Sequence, residues 1–510
     1  MKREYIFLSV IAAAALLLRL YALGEYHFWY DESLHILSAK YMLFDLTGRS
    51  WVSNFPPLFD LFLKIWLKLG SSEFILRLPS LLFSMAALPL AFALGKLFFD
   101  TKTGIAAALI TAFMPFQIYY AQDLGPYSLY QFLCLLSSYL LAAGIERGKK
   151  ISPAYLVAFV NLVALYTHYF AAFLILAETM YLLLLRPWNR RLFIHWFLAH
   201  LVVLALFMPH LDVAWQTFSR YRQPVFGYGL ALTPQNIFSI FSNFFFGYHG
   251  IKQFVYAGSG VFLVYLLFSV AMIKQQSKKI FFVIIIVFPF LASWVLFKEH
   301  KVLMSRYFLW VSPFVYILLA SFLVKGRFLA ARIILAAVLF AGWTICIPRY
   351  YTNSVIAENE LRHGNFPKIK IKDSIKFIEE NLGPEDAIAH AHMFTHQPFQ
   401  VYRGKIEPRD FRVHLSQDTI WNGDLGGYFD RAGKMPPALF NIQDSFIPRD
   451  IAVLRNRYKR IWFVVLPGEN ELYGQGLLEK MKWFEGQENL SLTDTYQKDS
   501  VKVFLFERAG

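Results

Sequence analysis

The feature that most constrains this chain is a series of long apolar runs. A hydrocarbon core about 30 Å thick takes about 20 helical residues to cross. Eleven runs approach that length, at roughly 5–23, 74–98, 104–121, 127–145, 153–169, 170–186, 192–210, 254–273, 280–297, 307–324 and 328–348. Of the 510 residues, 57% are hydrophobic and 17% charged, whereas soluble domains are about 45–50% apolar and 25% charged. The chain therefore reads as a polytopic α-helical membrane protein with membrane lipid as solvent. Its net charge of +15 does not point to nucleic acid, because the basic residues sit in short clusters between apolar runs, as topology signals do. Cys134 and Cys346 both lie inside apolar runs and offer no disulfide framework.

The connections set an expected orientation. Lys2-Arg3, Lys102, Arg147-Lys149-Lys150, Arg186-Arg190-Arg191, Lys274-Lys278-Lys279 and Lys325-Arg327-Arg332 occupy alternate gaps, which the positive-inside rule assigns to the cytoplasm. The N-terminal run is expected to be an uncleaved anchor, since Arg19 and Tyr21 stand where a small-residue cleavage site belongs. The remaining gaps, and the chain after Pro348, then face outward across a plasma (inner) membrane, toward the periplasm or exterior. In the first outer gap, Leu34, Leu37, Tyr41 and Phe44 recur at helical spacing, and "LFDLFLKIWLKLG" follows Pro56-Pro57. Both pieces are expected as interfacial helices.

Composition changes after residue 348, giving two expected domains: 1–348 in the membrane and 349–510 as a small extracytoplasmic α/β domain. There "DSIKFIEENLG" predicts a helix, and "AIAHAHMF", "RIWFVVL" and "VKVFLFE" predict strands. His390, His392 and His396 lack a nearby carboxylate or Cys, so they read as structural.

The unusual polar residues near apolar runs gather on the expected outer side. Asp31 and Glu32 follow the first run, Gln122-Asp123 close the third, and Tyr127 opens the fourth. His168 and Tyr169 mark the turn between the fifth and sixth, while Lys301, Arg306 and Tyr307 lie between the ninth and tenth. A lone Asp-Glu pair in a loop is ordinarily solvated. An ionisable group at a helix centre, however, costs about 2.5–3.5 kcal/mol, so groups gathered near such depths usually line a water-filled cavity. Carboxylates from several connections opposite a basic cluster suit a phosphate-bearing substrate.

The ordered set "FWYDE", "NFPPLFDLFLKIW", "EFILRLPSLLFSMAALPLAFALGKLF", "PFQIYYAQDLGPYSLY", "LYTHYFAAFLILAE" and "SRYFLWVSPFVYILLA" resembles the GT-C glycosyltransferases over about residues 5–325. Within them it is similar to the bacterial protein O-mannosyltransferase-like and aminoarabinose-transferase-like branch. The resemblance implies an inverting transfer of a sugar from a polyprenyl-phosphate carrier to an acceptor hydroxyl on a glycan, lipid or protein. It implies Asp31 as catalytic base with Glu32 beside it, and Asp123 as the second acidic site. Arg306 and Lys301 would hold the donor phosphate, with Tyr127, His168, Tyr169 and Tyr307 as candidate substrate contacts.

Two departures qualify the likeness. The second acidic site reads "QDLG" where relatives often carry Gln-Glu-Ala-Arg, and Phe55 replaces the Lys that precedes the proline in the aminoarabinose branch. The carboxylates are compatible with a divalent cation but do not require one. A polyprenyl-linked glycan transporter or flippase, a non-catalytic GT-C scaffold, and a polymerase or ligase using diphosphate-linked oligosaccharide stay open as alternatives.

Overall fold

The computed structural model describes residues 2–41, 56–148, 152–186, 189–221, 231–297, 303–353, 368–383, 385–390, 393–402, 438–441, 458–465, 490–498 and 501–508. They fall into two compact units. The first takes in the described residues through Leu23 and those from 56 to 353; the second takes in 24–41 and those from Lys368 onward.

The first unit is helical. Among the described residues, seven of its helices are long and apolar enough to span a bilayer: Glu73–Phe98, Tyr127–Glu146, Arg190–Ser219, Lys252–Met272, Gln276–Phe297, Ser305–Lys325 and Leu329–Tyr351. The N-terminal run is the helix Lys2–Leu20, whose Arg19 is fully buried and donates to Ser84 Oγ and to the Ala15 and Ala112 carbonyls. Three other expected spans look different in the structure.

The run 104–121 is not one straight helix. Thr101–Phe113 and Pro115–Ala121 meet at an angle of 61°. Pro115 disfavours a helical conformation in the residue before it, and Met114 is accordingly extended, at φ −65° and ψ 126°. The runs 153–169 and 170–186 appear as helices Ser152–Leu165 and Ala171–Leu184, of 14 residues each. At 1.5 Å per residue each is about 21 Å long, short of a full hydrocarbon core. Hydropathy also gave no sign of the helix Pro234–Phe246 within the expected 211–253 connection.

Close packing brings the ends of these helices together. A Cβ on Gly104 would come within 2.6 Å of the Phe92 carbonyl oxygen, so only glycine lets Glu73–Phe98 and Thr101–Phe113 approach this closely. The second expected interfacial piece is the helix Leu58–Trp66, continued by a short 3-10 turn to Leu69. Its Asp60 is buried rather than on a solvated face.

The second unit is built on a five-stranded mixed sheet: β1 Asp386–His390, β2 Ala438–Asn441, β3 Arg460–Val465, β4 Leu490–Lys498 and β5 Val501–Arg508. The order is β2-β1-β3-β5-β4, with β1 parallel to β2 and β3, and β5 antiparallel to β3 and β4. The expected helix is Lys372–Asn381. The expected strand "AIAHAHMF" ends at His390, and its last two residues open the helix Met393–Tyr402. His390 is buried, with Nδ1 3.0 Å from Thr395 Oγ1, while His392 lies outside the described residues. The helix Tyr30–Tyr41 takes in the first expected interfacial piece as far as Tyr41, Phe44 lying outside the described residues, and packs against Met393–Tyr402 in this unit. The helix Leu329–Tyr351 runs past the boundary expected at residue 348.

Asp386 is the polar anchor of the sheet. It accepts from Arg460 Nε at 2.9 Å and Nη2 at 2.7 Å, Trp462 Nε1 at 2.9 Å and the Gly383 amide at 2.8 Å. Burial pushes its carboxyl up, but these donors outweigh burial and hold it below the usual carboxylate range. A depressed folded-state pKa contributes stability that is complete above the unfolded value and is lost as pH falls through the folded one. Intrinsic-rate-corrected amide protection in β1 and β3 is therefore expected to drop in the wild type below about pH 4. Asp386→Asn should lower that protection at neutral pH and flatten its pH dependence. Unchanged neutral-pH protection would remove Asp386 as the anchor.

Candidate active site

In the first unit several of the expected site residues lie around Arg306. It lies on a 3-10 turn, Ser305–Val311, that opens the almost wholly enclosed span Ser305–Lys325. Arg306 is only 4% exposed. Its guanidinium carbon lies 5.2 Å from the Tyr127 ring centre and 5.8 Å from that of Tyr307. The Tyr307 ring is 5.3 Å from His168, which stacks on Tyr130 at 4.7 Å and lies 5.7 Å from Tyr127. His168 Nδ1 accepts from the Phe170 amide, 3.2 Å away, so that nitrogen is the acceptor of the ring.

Asp123 belongs to the same neighbourhood, although its neighbour Gln122 is structural. Gln122 donates to the Arg19 and Tyr21 carbonyls at 2.8 and 2.7 Å and accepts from the Tyr350 hydroxyl at 2.6 Å. That clamp fixes the backbone just before Asp123, which is itself buried. Tyr248 lies within electrostatic reach of both Arg306 and Asp123. Its hydroxyl is 2.7 Å from that of Tyr120, whose ring is 5.5 Å from Tyr127. Burial pushes the Tyr248 phenol up, so it stays a neutral hydrogen-bonding group at physiological pH.

Tyr120 and Tyr248 were missed in the sequence. Tyr120 is hidden in an apolar run and Tyr248 in a connection with no span signal. The legible clue was Gly247, which follows "SNFFF" and ends the helix at φ 66°, a backbone conformation that favours glycine. A Cβ there would sit 3.1 Å from Pro115 Cβ, and this close approach brings Tyr248 to the helix carrying Tyr119 and Tyr120. Tyr169 engages His210, its hydroxyl 2.9 Å from Nε2. Lys301 lies outside the described residues.

Asp31 and Glu32 belong to the second unit, in the first turn of the helix Tyr30–Tyr41, and are 8% and 1% exposed. Carboxylates complement the partial positive charge of a helix N-terminus. Glu32 Oε2 accepts from the Trp29 amide at 3.2 Å, the backward half of a capping box. The segment leading in is tied to the rest of the unit. The Phe28 amide donates to the Tyr402 hydroxyl at 2.6 Å, with the two rings stacked, and His27 Nδ1 accepts from the Ile371 and Lys372 amides. Part of the C-terminal unit thus positions the Asp-Glu turn. Among the described residues, no group of three or more His, Cys, Asp or Glu is placed to hold a metal ion.

Residues 54–213 match the family model described as dolichyl-phosphate-mannose-protein mannosyltransferase. No curated protein matches the sequence. Among solved structures, ArnT from Cupriavidus metallidurans bound to undecaprenyl phosphate is similar at TM-score 0.56 and 13% identity, over 98% of this chain and 97% of that one. Archaeal oligosaccharyltransferase AglB from Archaeoglobus fulgidus, in complex with an inhibitory peptide and a dolichol-phosphate, is similar at 0.50 and 11%, over 98% and 74%. Arabinofuranosyltransferase AftD from Mycobacteria is similar at 0.52 and 13%, over 99% of this chain and 42% of that one. These are GT-C glycosyltransferases. The apolar helices, the mixed sheet and these likenesses lead to one conclusion: this chain is a multi-pass membrane protein with the GT-C glycosyltransferase fold.

Proposed function

We propose that this protein transfers a sugar from a polyprenyl-phosphate carrier to an acceptor hydroxyl on the outer side of the membrane, with inversion at the anomeric carbon. The observation that carries the reading is Arg306, a buried guanidinium framed by Tyr127 and Tyr307 in the same neighbourhood as Asp123. A planar fork of N–H donors is suited to a phosphate, and hydrogen bonds between ionised partners are about twice as strong as neutral ones. The fold likeness to a structure bound to undecaprenyl phosphate supports the same donor class. The alternating basic connections support the outward orientation.

In the proposed reaction the acceptor oxygen bonds to the anomeric carbon as the bond from that carbon to the phosphate oxygen breaks. The electron pair leaves with polyprenyl phosphate, whose added negative charge Arg306 stabilises. The acceptor proton passes to Asp31. His168 and the tyrosines around Arg306 shape the sugar and phosphate contacts.

One assay tests donor and side together. Sealed right-side-out vesicles carrying the protein are supplied with a monophosphate-linked or a diphosphate-linked sugar donor, with acceptor added outside. Product is expected only with the monophosphate donor, alongside free polyprenyl phosphate. Turnover restricted to diphosphate-linked oligosaccharide, or to inside-out vesicles, would overturn the proposal.

A further inference from the structure

A second basic site lies in the first unit, away from the tyrosine-framed Arg306. A cavity of about 540 Å³ opens among the ends of Glu73–Phe98 and Tyr127–Glu146, the described residues Leu185, Arg186 and Asn189 with the start of Arg190–Tyr221, and the turn between Lys252–Met272 and Gln276–Phe297. Its size is in the range of small-molecule pockets, about 300–1,000 Å³. Among the described residues, four cations line it, Arg186, Arg190, Arg191 and Lys278, against one carboxylate, Glu146. Its wall is apolar, with Phe98, Ala142 and Leu185 among the lining residues.

The cations are not consumed by ion pairing. Among the described residues, neither Arg186, Arg190 nor Arg191 forms a salt bridge. Lys278 Nζ donates to the Phe98 carbonyl at 2.8 Å, which fixes that ammonium at the cavity. Arg186 donates to the carbonyls of Leu183 and Leu185, at the end of its helix.

A topology signal needs only charge in a connection. It does not need several connections folded around a walled cavity. Cations at the rim and an apolar wall fit an amphiphile with an anionic head, and basic pockets between membrane helices commonly hold lipid phosphates. We propose that this cavity binds the phosphate head group of an anionic membrane phospholipid, independently of the sugar-transfer site.

The test uses the full chain purified in neutral detergent and titrated with spin-labelled phosphatidylglycerol or phosphatidylcholine. Phosphatidylglycerol is expected to bind saturably and at least about tenfold tighter. The double variant Arg190→Gln/Arg191→Gln should weaken it about thirtyfold, given the contribution of each basic residue facing an anionic lipid. Ala142→Phe keeps every charge but fills the wall, and should weaken binding as well. Lys102→Gln/Arg327→Gln, which removes the same charge outside the cavity, should leave binding unchanged. Equal loss in the two charge-removing pairs would mean diffuse surface attraction and overturn the site. So would undiminished binding by a folded Arg190→Gln/Arg191→Gln chain. Complete displacement of the lipid by millimolar inorganic phosphate would overturn the lipid assignment in favour of free phosphate.

Discussion

Asp31→Asn is expected to reduce sugar transfer by at least about 10²-fold while leaving expression and membrane insertion unchanged. A hydroxyl is a weak nucleophile at neutral pH, and a positioned base that takes its proton typically contributes about 10²–10⁴ in rate. Asn keeps the size of Asp31 and much of its hydrogen bonding but loses the charge and the basic lone pair. Glu32→Gln should cost less. Glu32 already serves the helix start by accepting from the Trp29 amide, and a Gln oxygen can accept the same bond. Initial rates with saturating monophosphate-linked donor measure both variants. Should Asp31→Asn stay within a few-fold of wild type while Asp123→Asn is dead, the base lies at the second acidic site.

The next largest effect is expected at Arg306. Arg306→Gln removes a buried charge framed by Tyr127 and Tyr307. Hydrogen bonds to charged groups are worth about 1.5–3 kcal/mol, so donor affinity should fall about 10- to 100-fold. Arg306→Lys keeps the charge without the planar fork and should fall between wild type and Gln. Equilibrium binding of the lipid-linked donor to the purified variants separates these cases. An unchanged dissociation constant in both variants would remove Arg306 from the phosphate site. Thermal melting of the same samples checks that each remains folded, since burying a neutral amide among tyrosines also perturbs packing.

Much of the fold was legible because a bilayer imposes its demands locally. Runs such as 254–273 and 328–348 must satisfy their backbone within one segment, so length and apolar content already identify the helices Lys252–Met272 and Leu329–Tyr351. In the C-terminal part, "RIWFVVL" and "VKVFLFE" read correctly as β3 and β5 because their β-branched and aromatic residues suit a sheet. The count of apolar residues failed where a run is bent or interrupted. Nothing in hydropathy registers the 61° break at Pro115, whose cause is steric. The same measure read 170–186 as a full span where the helix is Ala171–Leu184, and the strand pattern ran on into Met393 and Phe394, which open a helix.

The sequence by itself supplied the candidates: Asp31, Glu32, Asp123, Tyr127, His168, Arg306 and Tyr307 stand out as polar residues bordering apolar runs. The helical spacing began only after Asp31 and Glu32, whereas the structure takes both into the first turn of Tyr30–Tyr41. Only the tertiary structure decided who keeps company with whom. Gln122 and Asp123 are adjacent, yet one clamps backbone carbonyls and the other borders the Tyr248 neighbourhood. Tyr120 and Tyr248 stand 128 positions apart and share a 2.7 Å contact. Likewise, the Asp-Glu turn is braced by Tyr402, 374 positions on from Phe28. Hydrogen bonds and ring contacts act over a few ångströms whatever the separation along the chain. Local pattern therefore reveals the helices and the titratable groups, while the site's neighbours are set by packing alone.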